Sequence, residues 1–183
     1  DTKLGSFLEK FTKLQDMDHD PAPVRFRLAL EELGPTFMKL GQVLSMRPDL
    51  VPPPWSEELA NLQDSCPVVP WEDIKKELEK EFGVDFDSMF SSIEETPIGD
   101  GSMAQVHRAV SKEGKRIVLK ILRPNIEKTV RSDLEVLEAI ALILNKHGAK
   151  LGFDPVEVID TFADALENEL DLRHEADSTK MLK

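Results

Sequence analysis

The chain is poor in the residues that hold small secreted or metal-bound domains together. Cys66 is the single cysteine among 183 residues, which excludes an intrachain disulfide and points to a reducing compartment. The four histidines, His19, His107, His147 and His174, are scattered without metal-ligand spacing, so no structural zinc is expected. No stretch of about 18 apolar residues, the length of a membrane-spanning helix, occurs. The amino end, DTKLGSFLEKF, lacks the basic and apolar regions of a signal peptide, and the piece reads as soluble. Basic residues are in the minority, 23 Lys plus Arg against 35 Asp plus Glu for a net charge of −12, which disfavours a nucleic-acid-binding surface. Internal repeats and low-complexity tracts are missing too. A 40% hydrophobic content remains, enough for a globular core in one large or two small domains.

The first half reads as helical. Pro21 and Pro23 separate an amphipathic segment, Leu4 to Leu14, from Val24 to Leu33, where Phe26, Ala29, Leu30 and Leu33 recur at helical spacing until Gly34-Pro35. A second helix from Thr36 carries Phe37, Leu40, Val43 and Leu44 and ends before Arg47-Pro48-Asp49. Pro52-Pro53-Pro54 reads as a stiff connector to a helix bearing Trp55, Leu59 and Leu62. Trp71, Ile74, Leu78 and Phe82 mark another, closed by Gly83. From about Ile93 to Leu122 the pattern turns to strands. Two further helices follow, one with Val130, Leu134, Leu137, Ala141 and Leu144, the other with Val156, Ile159, Ala163, Leu166 and Leu170. A boundary near residue 92 divides a helical part, 1–91, from an α+β part, 92–183. Both ends fall inside helical patterns without caps, as in an excerpt of a longer protein.

The strand region carries the chemistry. Gly99 and Gly101 flank Asp100 in PIGDGSMAQVHRA, and a backbone free of side chains turns sharply and aims N–H groups at phosphate oxygens. A hairpin capped by Gly-Asp-Gly is the plainer meaning of those two glycines. The downstream strand Ile117 to Leu122 is apolar around Lys120. Burying such a lysine is costly unless it meets anions, so Lys120 is expected to face a phosphate and a carboxylate, the alternative being an edge-strand lysine directed at water. Ser102-Met103-Ala104 stands where a Walker loop needs Gly-Lys-Ser/Thr, which excludes that class and leaves the kinase order of glycine loop followed by lysine strand.

Four ordered motifs resemble the UbiB family of atypical protein-kinase-like proteins: LGPTFMKLGQVLSMRPDL at Leu33–Leu50 with KxGQ at Lys39, Gly41 and Gln42; PIGDGSMAQVHRA; LKILRP at Leu119–Pro124; and NELDLRHEA at Asn168–Ala176 with ExD at Glu169 and Asp171. The resemblance implies a fold: a small antiparallel sheet with an αC-like helix, preceded by a helical extension and interrupted by an inserted helix at Asn125–Asp154. It also implies site residues. Gly99, Asp100, Gly101, Ser102, Met103, Ala104 and Lys120 would bind ATP with Mg2+. Glu175 would orient Lys120. Lys39, Gln42, Glu169 and Asp171 would guard the site.

Spacing alone is less specific. Lys39 and Gln42 share a helical face, which an ordinary solvent face would also explain, and Glu169 and Asp171 read equally well as solvated acids. UbiB relatives usually carry an alanine-rich segment where this chain has Gly99-Asp100-Gly101. The catalytic-loop Asp, its Asn and the Asp-Phe-Gly motif are not present before Lys183, so the ligands for Mg2+ and phosphoryl transfer are expected elsewhere in a longer protein.

The resemblance further implies a parent that is an ATP-dependent atypical kinase or ATPase. Its partners would be isoprenoid lipids or quinone-biosynthesis proteins, and its place the cytoplasm or the inner face of a membrane. The alternative is a non-catalytic scaffold for quinone-biosynthesis enzymes, motivated by the apolar stripe Phe7, Leu8, Phe11 and Leu14.

Overall fold

The computed structural model describes residues 20–62, 66–83, 85–146 and 152–173. Among these residues six helices and a four-stranded antiparallel sheet follow one another: α1 (Ala22–Leu33), α2 (Pro35–Ser45), α3 (Pro53–Leu59), α4 (Trp71–Phe82), a 3-10 turn (Phe86–Met89), β1 (Phe90–Ile93), β2 (Gly99–Asp100), β3 (Ala104–Ser111), β4 (Arg116–Leu122), α5 (Ile126–Lys146) and α6 (Pro155–Leu170). They form two compact units, Asp1–Gln63 with Glu127–Asn168, and Asp64–Ile126 with Glu169–Lys183. Packing therefore groups the chain differently from a cut at residue 92. α4 lies with the sheet because Ile74 and Leu78 join Phe86, Phe90, Ala109 and Ile121 in one core.

In the helical unit, glycine and proline set the boundaries. Gly34, at φ 109°, ends α1 by donating its N–H to Leu30 O, and its carbonyl accepts from Met38 at the start of α2. Pro35 occupies the first turn of α2, where a missing N–H costs nothing. The same physics corrects the Pro52-Pro53-Pro54 connector: Pro53 and Pro54 are already in the first turn of α3. Leu62 lies beyond that helix, yet it is buried. α1 and α3 are tied by an edge-to-face Phe26–Trp55 contact, centroids 5.7 Å apart, and by Arg27. Its Nε donates to Glu58 Oε1 at 2.7 Å and its Nη1 to Glu31 at 2.5 Å.

In the sheet unit, β3 is central. β1 and β2 pair with one of its edges and β4 with the other. The strands begin at Phe90 rather than Ile93, because Phe90 already pairs with Ser111, and a bulge at Ser91 shifts the β1 register. Phe82, expected on the buried face of α4, is half exposed in the last turn before Gly83 (φ 86°). Leu144 of α5 is likewise exposed, next to Leu142 and Ile143. In α6 the deepest apolar residues are Phe162 and Leu166. Among the described residues, no helix is long and apolar enough to cross a membrane.

Candidate functional site

Strand alternation places the lysine. Along β4, Ile117, Leu119 and Ile121 turn toward the core beneath α4, while Arg116, Val118 and Lys120 are exposed. The expectation that Lys120 sits inside an apolar run is therefore corrected: the run is two-faced and the lysine is on its outer side, at no burial cost. Across the sheet Lys120 is opposite Val106, and Val106 is opposite Gly99. Residues opposite one another share a face, so Gly99, Val106 and Lys120 form one row.

Arg108 is opposite Val118, and Val110 is opposite Arg116, on the same outer face. β3 and β4 thus contribute Arg108, Arg116 and Lys120 to it and no acid, in a chain whose net charge is −12. Arg108 is 3.8 Å from Glu94 in an exposed pair. Val118, 61% exposed, is a large apolar side chain held open beside the cations.

The loop between β2 and β3 is short and fastened from below. Gly101 N–H donates to Ala104 O at 2.9 Å. A Cβ on Gly101 would come within 3.2 Å of that same oxygen, whereas one on Gly99 would meet only Val106 carbons at 3.9 Å. A side chain would be crowded against the backbone at the second glycine and finds ordinary room at the first. Ser102, Met103 and Ala104 are buried, and Gly99 to Gly101 are half exposed.

Arg123, just past β4, holds this arrangement. Its N–H donates to Met103 O, its Nε to Gly101 O and its Nη1 to Pro67 O, each at 2.9 Å. Two polar atoms here are buried without a hydrogen-bond partner, Asp100 Oδ1 and Arg123 Nη2. Such atoms are uncommon and costly.

The inner face of the sheet carries a polar network of another kind. Gln105 is fully buried; its Oε1 accepts from Val69 N–H and its Nε2 donates to Val69 O at 3.4 Å. Nε2 is also 3.3 Å from His107 Nε2, while His107 Nδ1 is 2.9 Å from Glu94 O. A carbonyl only accepts, so Nδ1 carries the proton and Nε2 accepts from Gln105. The imidazole also meets the Trp71 ring at 5.3 Å. This network fastens residues 67–71 to the sheet and is turned away from Lys120.

In the helical unit, KxGQ serves packing as well as display. A Cβ on Gly41 would lie under 3 Å from the side chains of Leu30 and Leu62, so this glycine admits leucine side chains rather than another backbone. Gln42 Nε2 donates to Leu62 O at 3.4 Å. Lys39 is half-buried on the same flank of α2 as Gln42.

The ExD pair straddles the end of α6. Glu169 lies in its last turn and Asp171 just beyond, both half-buried. Asp171 Oδ1 accepts from the N–H of Arg173 at 3.1 Å and from its Nε at 2.8 Å, and Oδ2 from Nη2 at 3.0 Å. That two-pronged contact raises the Arg173 pKa above the usual guanidinium value. Glu175 lies outside the described residues.

Comparison with known proteins places this geometry. The family model for the ABC1 atypical kinase-like domain matches residues 61–183. The chain belongs to the ABC1 atypical kinase-like family. It is 41% identical over 162 residues to the "Probable protein kinase UbiB" of Marinobacter nauticus, covering 87% of this chain and 29% of that one. The Aeromonas hydrophila protein of the same name is 39% identical over 161 residues, 87% of this chain and 30% of the relative. An "Uncharacterized protein in hydrogenase 1 5'region" of Clostridium pasteurianum is 38% identical over 162 residues, covering 88% of this chain and 31% of that one.

Among solved structures, that of the Rv3197–erythromycin complex from Mycobacterium tuberculosis superposes with a TM-score of 0.52 at 28% identity, covering 94% of this chain and 42% of that one. The chain thus spans about three tenths of the length of its curated ABC1 relatives, and its mixed fold of helices and small antiparallel sheet is kinase-like.

Within the ABC1 frame, three residues gain weight that the glycine and lysine motifs alone did not give them. Val106 completes the spacing Gly-x-Gly-x-x-Ala-x-Val from Gly99, the place of the valine that ends the kinase loop signature. Val118 stands two residues before Lys120, hence on the same face. Arg123 appeared only as part of LKILRP, and its grip on the loop depends on contacts across 22 and 56 residues.

Proposed function

We propose that the whole protein is an ATP-dependent atypical kinase or ATPase that supports ubiquinone or related isoprenoid-lipid biosynthesis, and that the outer face of this sheet is one wall of its nucleotide site. The row Gly99–Val106–Lys120 carries the reading. It offers an open backbone, an apolar platform extended by Val118, and a lysine with Arg108 and Arg116 farther along the same face. A nucleotide needs a surface for its base and N–H donors and cations for its phosphates. In this reading Val106 and Val118 face the base, Lys120 orients the phosphates and Glu175 orients Lys120. Lys39, Gln42, Glu169 and Asp171 restrict access to the site. Mg2+ supplies charge neutralisation at the phosphates when bound, through ligands beyond this part of the fold.

Small-molecule or lipid-coupled use of ATP is favoured over protein phosphorylation. The resemblance implies that the KxGQ helix covers the site, where it would obstruct a protein substrate.

The test is nucleotide binding and Mg2+-dependent turnover by the full-length protein and its Lys120→Ala variant. A loss of at least about tenfold in affinity or turnover is expected, with thermal stability unchanged. Normal affinity and turnover in the variant refute the role of Lys120. Wild-type protein that hydrolyses no ATP yet sustains quinone synthesis would replace the enzyme by the scaffold.

A further inference from the structure

The helical unit holds a cavity of about 300 Å3 between α2 with its following turn and the first half of α6. It uses a flank of α2 different from the one bearing Lys39 and Gln42. Its walls are Leu40, Val43, Leu50, Phe153, Val158 and Phe162. Its polar groups, among the described residues, are Arg47, Asp49, Asp154, Glu157 and Thr161. Two of these are already matched: Arg47 Nη2 and Nε hold the Asp49 carboxylate at 2.7 and 2.9 Å. Asp154 Oδ1 accepts from Val156 N–H at 2.9 Å, capping α6, and from Asn145 at 3.4 Å. Among the described lining residues the remaining balance is negative, because three carboxylates stand against one guanidinium and only part of the excess is offset by the positive end of α6.

We infer that this cavity binds a small amphipathic amine, its one- or two-ring apolar body between α2 and α6 and its cationic head among Asp154 and Glu157. Size sets the body: an apolar cavity of about 150 Å3 takes a benzene ring, so twice that volume suits a fused pair of rings or one ring with a short chain. Charge sets the head. An anionic amphiphile would bring its carboxylate or phosphate to a mouth already holding an excess of acids, whereas an ammonium gains there. The site is separate from the sheet face assigned to nucleotide, and its existence does not depend on that assignment.

Three probes that share the indole ring test it on the full-length protein: tryptamine and indole-3-acetate, similar in size and opposite in charge, and indole, which lacks the chain, followed by NMR shifts of the Leu40, Val43 and Val158 methyl groups. Tryptamine is expected to bind with indole several-fold weaker, and indole-3-acetate at least about tenfold weaker than tryptamine. Glu157→Gln, an exposed substitution that leaves the fold intact, should weaken tryptamine and leave indole unchanged. Ala165→Phe, at the exposed edge of the cavity, should abolish all three without shifting the unfolding midpoint. Equal binding of the acid and the amine overturns the assigned class. No methyl shift with any probe, or binding indifferent to both substitutions, overturns the site.

Discussion

The two compact units both carry a glycine signature, and they use glycine in opposite ways. In the helical unit Gly41 is filled from outside: leucine side chains from α1 and from residue 62 occupy the space a Cβ would take. In the sheet unit Gly99 has ordinary room around it, and Gly101 is required only by the carbonyl of Ala104 across a tight turn. The glycine of KxGQ is therefore a packing device that seats a helix, whereas the first glycine of the loop leaves an open surface. The letters of a motif do not say which of these a glycine does; its neighbours do.

Substitutions at four positions break or sharpen that contrast. The largest effect is expected from Gly41→Val, which forces a branched side chain into Leu30 and Leu62 and should cost about 2–3 kcal/mol in urea unfolding. A change below about 0.5 kcal/mol would show that the leucines move aside freely. Next, Gln105→Leu keeps the volume but leaves Val69 N–H, Val69 O and His107 Nε2 without their partner. A loss of about 2 kcal/mol is expected, with faster hydrogen exchange at the Val69 amide.

Arg123→Ala releases Gly101 O and Pro67 O and should cost about 1–2 kcal/mol while speeding exchange at the Gly101 amide. Arg123→Lys, which cannot reach both carbonyls with a planar fork, should recover little of that protection. Smallest in stability is Gly99→Ala, within about 0.5 kcal/mol of the parent because the added methyl finds only ordinary contacts. Its signature belongs to binding: weaker nucleotide affinity in the full-length protein, measured beside Lys120→Ala.

The sequence showed the punctuation of the fold clearly where one residue type has one physical reason to be present. Gly34 and Gly83 ended helices where the spacing placed them. It misled where a residue type has two uses. A proline triplet reads as a rigid connector, yet a helix accepts proline in its first turn, and α3 took two of them. Phe82 satisfied the spacing of α4, but the chain turns at Gly83 before anything covers it. Of the site, the lysine strand and glycine loop were legible as local patterns. The face on which Lys120 lies, and the companionship of Val106 and Val118, required a register between strands. Gln105 and Arg123 were illegible for a stronger reason: their partners are main-chain atoms far along the sequence, and main-chain atoms leave no trace in side-chain identity.

That last point bears on the segment before α4. Pro67 is held through its carbonyl by Arg123, and Val69 through its N–H and carbonyl by Gln105, so this stretch is gripped by its peptide groups. The exposed side chains of Pro67 and Val68 are accordingly free to change, whereas residue 69 must keep both its N–H and an apolar side chain, because Val69 also packs against the core. The length of this stretch is fixed more tightly than its composition: inserting or deleting a single residue between 67 and 69 would present the wrong peptide group to one of the two clamps.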